Sequence, residues 1–434
     1  QKNGLRCGDE IIAIDGTLTK GLEIKESTDR MKGKPGTTVL FTVKKALTGD
    51  TLDIPVVRER IHMPDVEYAA MLDDTTGYIL QSGFTENVSA DVRAKIIALK
   101  KQGMKRLVLD LRGNGGGLMG EAINIVSLFL PKGTLVVSSK GNHENSLVKY
   151  HTTLDPVDTE LPLIVMIDSG SASSSEIVAG ALQDHKRATL MGTRSYGKGL
   201  VQSIKPIQYN GQMKVTTAKY YTPSGRCVQA IDYSKRNADG SIARTPDSLT
   251  TVFHTAAGRE VRDGGGIRPD IEVKMDKTPN ILFYLVNDDM IFDYATQYVI
   301  KHPTIAKVED FQLTDADYAD FKEMLKKRDF TYDRQSEEVL KKLKEFAEFE
   351  GYMENAKEEF AALEKKLQHN LDLELDRFAK DIKPLIAEEI VKRYYFEKGA
   401  VQETLKDDAD LKKAIEVLQQ PEEYNKVLTV AVKE

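Results

Sequence analysis

The stretch 167–182, which reads IDSGSASSSEIVAGAL, holds five serines within seven positions, between an apolar run and a predicted helix. The run before it, LPLIVMID at 161–168, is almost wholly apolar, as in strands that are covered on both faces. Ser173 and Glu176 have the spacing of a capping box at the start of the helix. The first helical N–H groups would then point at the turn, where a serine oxygen or a developing oxyanion can bind. The stretch fits either a nucleophilic serine or a flexible polar loop with an N-cap, and taken alone it favours the loop.

Strand and helix patterns continue to alternate on both sides of this stretch, over 63–278. KRLVLDLR at 105–112 is a second apolar strand, and NVSADVRAKIIALKKQG at 87–103 has the apolar spacing of a helix that ends at a glycine. IQYNGQMKVTTAKYY at 207–221 contains the Asn-Gly signal of a β-hairpin. This alternation predicts an α/β core.

Two further regions flank the core, so the sequence predicts a multidomain α+β protein. Residues 1–62 have the order strand, helix, strand, strand. Residues 279–434 are helical and strongly charged, with Thr314 as a predicted N-cap. The predicted domains are therefore 1–62, 63–278 and 279–434. An apolar stripe on one helix of the last domain comprises Val339, Leu343, Phe346 and Phe349.

The composition is that of an ordinary globular protein. The 434 residues are 41% apolar and 29% charged, and the interspersed signs of a net charge of -6 do not indicate a nucleic-acid surface. No apolar run reaches the roughly 18 residues that a membrane span needs, and the first residues lack the pattern of a signal peptide. Cys7 and Cys227 are too few for a disulfide framework or a zinc site. No carboxylate or histidine cluster has metal-ligand spacing, so we expect no metal.

A second stretch, GTRSYGKGLVQS at 192–203, offers a lysine as the base. Lys198 lies between two glycines, which let the backbone and its neighbours approach closely. In an extended segment Lys198 and Gln202 project from one face, so the Gln202 amide can orient the amine. A lysine accepts a proton from serine only when it is neutral, which desolvation in a tight site favours. A glycine-rich turn with a solvated lysine is the alternative, and on this stretch alone the better one.

A third stretch, LDLRGNGGGLMGEA at 109–122, follows a buried strand and precedes a helix. Gly115 and Gly116 expose backbone N–H groups near that helix N-terminus, which is how an anion or oxyanion is held. A phosphate loop is the alternative. However, the stretch lacks the Lys-Ser/Thr ending of a P-loop and the spacing of a dinucleotide fingerprint.

These stretches, in this order, resemble the carboxyl-terminal processing (tail-specific) serine proteases, a family of Ser–Lys peptidases. The resemblance covers about residues 77–273. The segments that carry it are GYILQSGFTENVSADVRAKIIALKKQG, LVLDLRGNGGGL, SGSASSSEIVAGALQDHKRATLMGTRSYGKGLVQ, YYTPSGRCVQ and GGGIRPDIEV.

The resemblance implies a role for each site residue. Ser173, the first serine of Ser-x-Ser-Glu, corresponds to the nucleophile, and Lys198 of Gly-Lys-Gly to the general base, 25 residues later as in the family. Gln202 corresponds to the glutamine that orients the lysine. Ser174 stands where the family usually has alanine, and its N–H would serve the oxyanion hole. The second donor would be the N–H of Gly115 or Gly116.

The resemblance also implies an architecture and a substrate class. The core would be crotonase/ClpP-like, and 1–62 would be the later part of a PDZ domain whose first part precedes Gln1. A tail would bind along the helix near 21–31, beside Ile24, Ser27 and Met31. The family implies protein substrates with apolar C-terminal tails, no cofactor and an extracytoplasmic site, usually the bacterial periplasm or envelope. Residues 279–434 fit a domain packed on the core, a homo-oligomerisation element or an adaptor platform.

Two histidines and two other protein classes stay open as alternatives. His185 or His254 could complete a Ser-His-Asp triad, although QDHKRA at 183–188 has the pattern of the polar end of a helix. A proteolytically inactive PDZ-type binding protein would keep the fold without using Ser173. A crotonase-like acyl-CoA enzyme would use the glycine-rich stretch at 109–122 as its oxyanion hole, but it would not need a lysine at the Ser–Lys spacing.

Overall fold

The structure of the chain is a computed structural model, which describes residues 3–61, 63–236, 240, 242–274, 278–367 and 370–428. The chain forms two compact units, one of residues 1–62 with 276–407 and one of residues 63–275 with 408–434. A mixed α/β region and an all-helical region after it are both present, which confirms the predicted class at that level. The predicted division into three domains stays a prediction.

The N-terminal residues form a small antiparallel sheet with one helix, in the predicted order except for an additional two-residue strand before the helix. The elements are β1 (Glu10–Ile14), β2 (Thr17–Leu18), α1 (Ile24–Met31), β3 (Thr38–Lys44) and β4 (Thr51–Val57). The strands lie in the order β2-β1-β3-β4. Val39, Phe41 and Val43 alternate with more exposed residues along β3 and form the centre of the buried cluster of this sheet.

The second unit contains most of the strands. They are β5 (Val66–Met71), β6 (Thr76–Gln81), β7 (Arg106–Asp110), β8 (Leu135–Lys140), β9 (Val148–His151), β10 (Leu163–Ile167), β11 (Thr189–Gly192), β12 (Leu200–Pro206), β13 (Gln212–Tyr221), β14 (Ile231–Arg236), β15 (Ile242–Arg244), β16 (Val252–His254), β17 (Glu260–Arg262) and β18 (Ile271–Glu272). The helices between them are α2 (Val88–Lys101), α3 (Met119–Ser127) and α4 (Ser174–Asp184).

A six-stranded sheet in the order β18-β11-β10-β7-β6-β5 forms the centre of this unit. Its strands are parallel except β5, which runs antiparallel to β6. All five residues of β10 are buried, as the continuous apolar run predicts for a strand covered on both faces. The described residues of this unit also form a four-stranded antiparallel sheet, β12-β13-β8-β9, and two two-stranded ribbons. Loops after β6, β7, β10 and β11 therefore emerge together at the carboxyl edge of the parallel strands.

The predicted hairpin between β12 and β13 forms, with a turn one residue earlier than the Asn-Gly signal indicates. Tyr209 and Asn210 have φ angles of 59° and 58°, and Ile207 N–H donates to the Gly211 carbonyl at 2.9 Å. Two consecutive residues with positive φ are the geometry of a type I′ turn. Asn210 is thus its second central residue rather than its first.

The rest of the chain is helical. The helices are α5 (Asn280–Asn287), α6 (Met290–Lys301), α7 (Asp315–Lys327), α8 (Gln335–Phe349), α9 (Lys357–Leu367), α10 (Leu371–Arg377), α11 (Ala379–Leu405), α12 (Ala409–Gln419) and α13 (Pro421–Leu428). Thr314 caps α7 as predicted, since its hydroxyl accepts the Asp317 N–H at 3.1 Å while the Asp317 carboxylate accepts the Thr314 N–H at 2.9 Å. α11 is interrupted at Phe396, where φ is 60°.

The last two helices belong to the second unit and cover its sheet. α12 packs on β7 and β10, and α13 packs on β11. Asp408, the N-cap of α12, accepts hydrogen bonds from Leu411 N–H at 2.8 Å and from the Arg112 guanidinium at 2.6 Å. The Tyr424 hydroxyl donates to the Leu163 carbonyl at 3.1 Å and accepts the Leu163 N–H at 3.0 Å. These contacts fix residues 408–428 to strands that lie far earlier in the chain.

Asp73 closes the turn between β5 and β6. Its Oδ1 accepts the N–H groups of Thr75 and Thr76 at 2.7 Å each, and its Oδ2 accepts the Thr76 hydroxyl at 2.8 Å. Burial alone would raise the pKa of Asp73, but these donors lower it to about 2. A carboxyl whose pKa falls on folding stabilises the folded state above its unfolded pKa of about 3.9, and this stabilisation is lost as the pH falls through about 2.

We expect Asp73→Ala to lower the free energy of unfolding at pH 7 by about 1 kcal/mol, because the half-buried carboxylate loses hydrogen bonds that solvent partly screens. Urea denaturation at pH 7 and pH 3 should show a smaller difference from the parent at pH 3. Asp74→Ala, at the exposed neighbouring position, is the control and should differ little from the parent at either pH. A difference that does not change with pH would contradict the assignment to the ionised carboxylate.

Candidate active site

Ser173 lies between β10 and α4, at the N-cap of the helix. Its backbone φ is 57°, a conformation that residues other than glycine adopt at a cost of about 1–3 kcal/mol. Ser173 N–H donates to Glu176 Oε2 at 2.9 Å, and the Tyr220 hydroxyl oxygen lies 3.2 Å from the Ser173 carbonyl oxygen. Ser173 is half-buried, whereas Ser174 and Ser175 are buried. The turn thus leaves the Ser173 side chain more accessible than those of its two neighbours.

The buried serines around Ser173 join its turn to the glycine loop, residues 111–118. The Ser171 hydroxyl donates to the Leu111 carbonyl at 2.7 Å and the Ser174 hydroxyl to the Gly117 carbonyl at 3.0 Å. The Ser175 hydroxyl donates to the Asn114 carbonyl at 2.8 Å. The serine-rich stretch is therefore an ordered turn and not the flexible loop of the alternative interpretation.

Asp168, at the end of β10, adds to the same connection. Its Oδ1 accepts the N–H groups of Gly113 at 2.8 Å, Gly170 at 2.9 Å and Ser171 at 3.0 Å. A carboxylate with three backbone donors orders the turn.

Gly116 of the glycine loop packs closely against Ser173 and its two neighbours. Its φ is 92°, and a Cβ on it would lie 2.6 Å from the Ala172 carbonyl oxygen and 2.8 Å from both Ser173 Cβ and Ser174 N. Only glycine fits this approach without displacement of the turn. Gly116 N–H donates to Asn114 Oδ1 at 2.9 Å, whereas a Cβ on Gly115 would have no atom within 4 Å. Both predicted glycines thus lie in the loop that faces the Ser173 turn.

Lys198 lies in the loop 193–199, between β11 and β12, which we call the Lys198 loop. Lys198 N–H donates to Glu176 Oε2 at 2.8 Å, and the Lys198 carbonyl accepts the Tyr220 hydroxyl at 2.6 Å. A Cβ on Gly197 would collide with Ala230, and one on Gly199 would lie 2.8 Å from the Gln229 nitrogen. The two glycines beside the lysine therefore allow close packing, as the sequence predicts.

Glu176 connects the Ser173 turn with the Lys198 loop. Its Oε2 accepts the N–H groups of Ser173 and Lys198, and its Oε1 accepts the Ser195 hydroxyl at 2.6 Å and the Gly197 N–H at 2.8 Å. The residue is fully buried, and this burial raises the pKa of its carboxyl, an effect that the four donors oppose. From the sequence Glu176 is only a capping residue. Its position in the Ser-x-Ser-Glu motif, three residues after the predicted nucleophile, is the sequence signal that could have indicated its second role.

The two predicted dyad residues are close in their backbones without a direct side-chain contact. In the part of the chain that the structure describes, no hydrogen bond of 3.5 Å or less joins Ser173 Oγ to Lys198 Nζ. Gln202 is exposed on β12, opposite Thr216 of β13. Catalytic hydrogen bonds are often long in the absence of substrate, so this arrangement is compatible with a dyad. The roles of these residues stay predictions.

The histidines lie in other positions. His185 follows the last residue of α4, and the 11-residue length of the helix separates it from Ser173 by about 16 Å. Its Nε2 lies 2.6 Å from the Leu135 carbonyl oxygen. This separation excludes His185 as a base that contacts Ser173. His254 is exposed at the end of β16, in a two-stranded ribbon with β17.

The three residues predicted to line a PDZ groove differ in their surroundings. Ile24, the first residue of α1, is 86% exposed, Ser27 is half-buried, and Met31 packs against the buried cluster of the small sheet. Their role in binding a tail stays a prediction. None of the described helices is both long enough and apolar enough to cross a membrane.

Two family models match the chain. The model described as peptidase family S41 matches residues 75–234, and the model described as probable PDZ-protease, C-terminal helical domain, matches residues 281–418. The first range contains Ser173, Lys198, the glycine loop and Glu176. Residues 75–234 are thus similar to peptidase family S41, and residues 281–418 are similar to the helical domain of a probable PDZ-protease.

Curated relatives agree with these matches. The carboxy-terminal-processing protease of Bartonella bacilliformis is 42% identical over 234 residues, which are 53% of this chain and 53% of the relative. The carboxyl-terminal-processing protease of Synechocystis sp. is 39% identical over 238 residues, 53% of this chain and 54% of the relative. Among solved structures, the photosystem II D1 C-terminal processing protease is 27% identical, with 65% of this chain and 67% of that chain covered and a TM-score of 0.37.

The predicted resemblance to the carboxyl-terminal processing proteases is therefore confirmed. The chain spans about half the length of the curated relatives it matches.

We expect Gly116→Ala to slow the reaction of Ser173 with a fluorophosphonate by about 100-fold, because the new methyl group would displace Ser173 and Ser174. Gly120→Ala is the matched control, since a Cβ there would have no atom within 4 Å, and it should react at the parental rate. Mass spectrometry of the labelled peptide gives the rate, and thermal denaturation shows whether each variant is folded. A parental rate for a folded Gly116→Ala would show that the close approach is not needed.

Proposed function

We propose that the protein is a serine endopeptidase in which Ser173 is the nucleophile and Lys198 the general base. One observation carries the proposal. Ser173 N–H and Lys198 N–H donate to the same oxygen of Glu176, at 2.9 and 2.8 Å, so their nitrogens are no more than 5.7 Å apart. At this separation the long, flexible lysine side chain can bring its amine to the serine hydroxyl.

The reaction then follows from the groups around Ser173. Its Oγ attacks the scissile carbonyl while the neutral Lys198 amine accepts the hydroxyl proton. The N-terminus of α4 presents the Ser174 N–H to the tetrahedral oxyanion, and we assign the second donor to Gly115 or Gly116. The protonated amine next donates to the leaving nitrogen, and water hydrolyses the acyl-enzyme with Lys198 again as base. We assign to Gln202 the orientation of the Lys198 amine, and the reaction needs no cofactor.

The resemblance supports the finer parts of the proposal. We propose a crotonase/ClpP-like core over 63–278, the later part of a PDZ domain over 1–62 and a helical domain over 279–434. Substrates would be proteins with apolar C-terminal tails, bound beside Ile24, Ser27 and Met31. The helical domain would serve homo-oligomerisation or adaptor binding, and the site of action would be the bacterial periplasm or envelope.

We expect Ser173→Ala and Lys198→Ala each to lower the cleavage of an unfolded protein with an apolar C-terminus by at least about 1,000-fold. His185→Ala and His254→Ala should retain parental rates, because neither histidine takes part in the proposed dyad. Gel analysis of the full-length protein and its variants, with mass spectrometry of the products, measures the rates.

Activity that survives in Lys198→Ala would contradict the dyad and return the base to His254, the histidine alternative that the position of His185 leaves open. A full-length parent that binds such a protein without cleaving it would instead indicate the inactive PDZ-type binding protein. Binding of coenzyme A in calorimetry would indicate the acyl-CoA enzyme.

A further inference from the structure

We propose that Glu176 and Tyr220 are positioning residues that hold the Lys198 loop on the Ser173 turn and thereby set the geometry of the dyad. The inference rests on the proposed function, since it concerns the same Ser173 and Lys198. It goes further by assigning roles to two buried side chains that would not touch substrate.

Each of the two side chains contacts the backbones of both dyad residues, Glu176 at their N–H groups and Tyr220 at their carbonyl groups. Glu176 Oε2 accepts the N–H of Ser173 and the N–H of Lys198. The Tyr220 hydroxyl donates to the Lys198 carbonyl at 2.6 Å and lies within hydrogen-bond distance, 3.2 Å, of the Ser173 carbonyl. Because both the N–H and the C=O of Lys198 are hydrogen-bonded, the direction in which its side chain leaves the backbone is fixed. Glu176 and Tyr220 therefore determine how Ser173 Oγ and Lys198 Nζ can approach each other.

Glu176 also depends on the Lys198 loop. A carboxylate has about four acceptor positions, and here four donors use them. Three of these donors, the Ser195 hydroxyl and the N–H groups of Gly197 and Lys198, belong to the loop. If the loop moved away, a fully buried carboxylate would keep only the Ser173 N–H, and an unsatisfied buried charge is unfavourable. The carboxylate thus favours the arrangement in which the loop is docked.

Tyr220 is placed for the same function by β13. The residue is 2% exposed, and its own N–H donates to the Gly199 carbonyl at 3.0 Å. It therefore contacts the Lys198 loop with its backbone and its side chain at once. Burial raises the pKa of the Tyr220 hydroxyl well above its usual range, so the group remains a donor at every pH of interest.

A purely structural role of Glu176 as the cap of α4 makes a different prediction. Capping requires the bond to Ser173 N–H alone, whereas the Ser195 hydroxyl has no part in the helix. Ser195→Ala and Tyr220→Phe consequently weaken the docking of the loop without removing the cap. These two variants also keep the inference testable if Glu176→Gln does not fold.

The experiment measures kcat and KM for the cleavage of one unfolded protein substrate, together with the thermal midpoint of each variant. We expect Glu176→Gln to lower kcat by about 100-fold, and Ser195→Ala and Tyr220→Phe by about tenfold each, with KM changed less than about threefold. Combining Ser195→Ala with Glu176→Gln should lower kcat no further, because both changes remove the same interaction.

The matched controls are Glu121→Gln, Ser127→Ala and Tyr424→Phe. Each removes a comparable hydrogen bond elsewhere in the same unit, since Glu121 accepts the Ser89 N–H, Ser127 donates to the Ile123 carbonyl and Tyr424 contacts Leu163. We expect these variants to lose thermal stability and to keep the parental kcat.

Two results would overturn the inference. In one, folded Glu176→Gln, Ser195→Ala and Tyr220→Phe keep kcat within about twofold of the parent, which would leave Glu176 as a helix cap. In the other, the controls lose kcat to the same extent, which would show a general effect of lost packing. Ser173→Ala separates these results from failure of the proposed function, because a parental rate in that variant would refute the function whatever the other variants do.

Discussion

The buried carboxylate of Glu176 holds the site together, and none of its four hydrogen-bond donors is a cation. Glu176 has been removed from water, and only neutral donors from two separate loops compensate for that removal. A polar network of this kind is favourable when all its members are satisfied and unfavourable when some are missing. The Ser173 turn and the Lys198 loop therefore cannot be placed independently. Their positions follow from one set of hydrogen bonds. If only part of this set formed, the buried carboxylate would lack donors, which is energetically unfavourable.

The parallel sheet makes this arrangement available. β10 and β11 are neighbours, and the chain leaves each of them at the same edge, into the Ser173 turn and the Lys198 loop. α4 begins at that edge, so the side chain of its third residue, Glu176, needs to reach across only one strand spacing. β7 lies on the other side of β10 and brings the glycine loop to the same place. Adjacent strands thus supply the three loops of the site.

The serine-rich and glycine-rich stretches have complementary compositions. The glycine loop has few side chains to cover its backbone carbonyl groups, among them those of Asn114 and Gly117. The Ser174 and Ser175 hydroxyls donate to these groups. Each stretch is conspicuous in the sequence. Their complementarity cannot be recognised from the sequence, because it depends on the pairing of β7 with β10.

Local patterns predict the local parts of this structure and fail where distant segments meet. The apolar runs of β7 and β10, the cap at Thr314 and the glycines beside Lys198 follow from nearest neighbours in the sequence. Glu176 looks like a helix cap, because its contacts with Ser195 and Gly197 arise only when two strands pair. The Asn-Gly signal predicts the hairpin turn one residue later than the structure has it, because strand register decides which residues adopt positive φ. Amphipathic helices near the end of the chain likewise carry no information about which sheet they cover.

The return of residues 408–428 to the central sheet has a consequence for the synthesis of the protein. Tyr424 contacts Leu163, and 261 positions separate them along the chain. At about 5–20 residues per second, a ribosome needs roughly 13–52 s to make the intervening segment. During that time β7, β10 and β11 exist without the helices that cover them. The nascent chain therefore passes through a period in which its serine turn has been made but the two helices that cover its sheet have not.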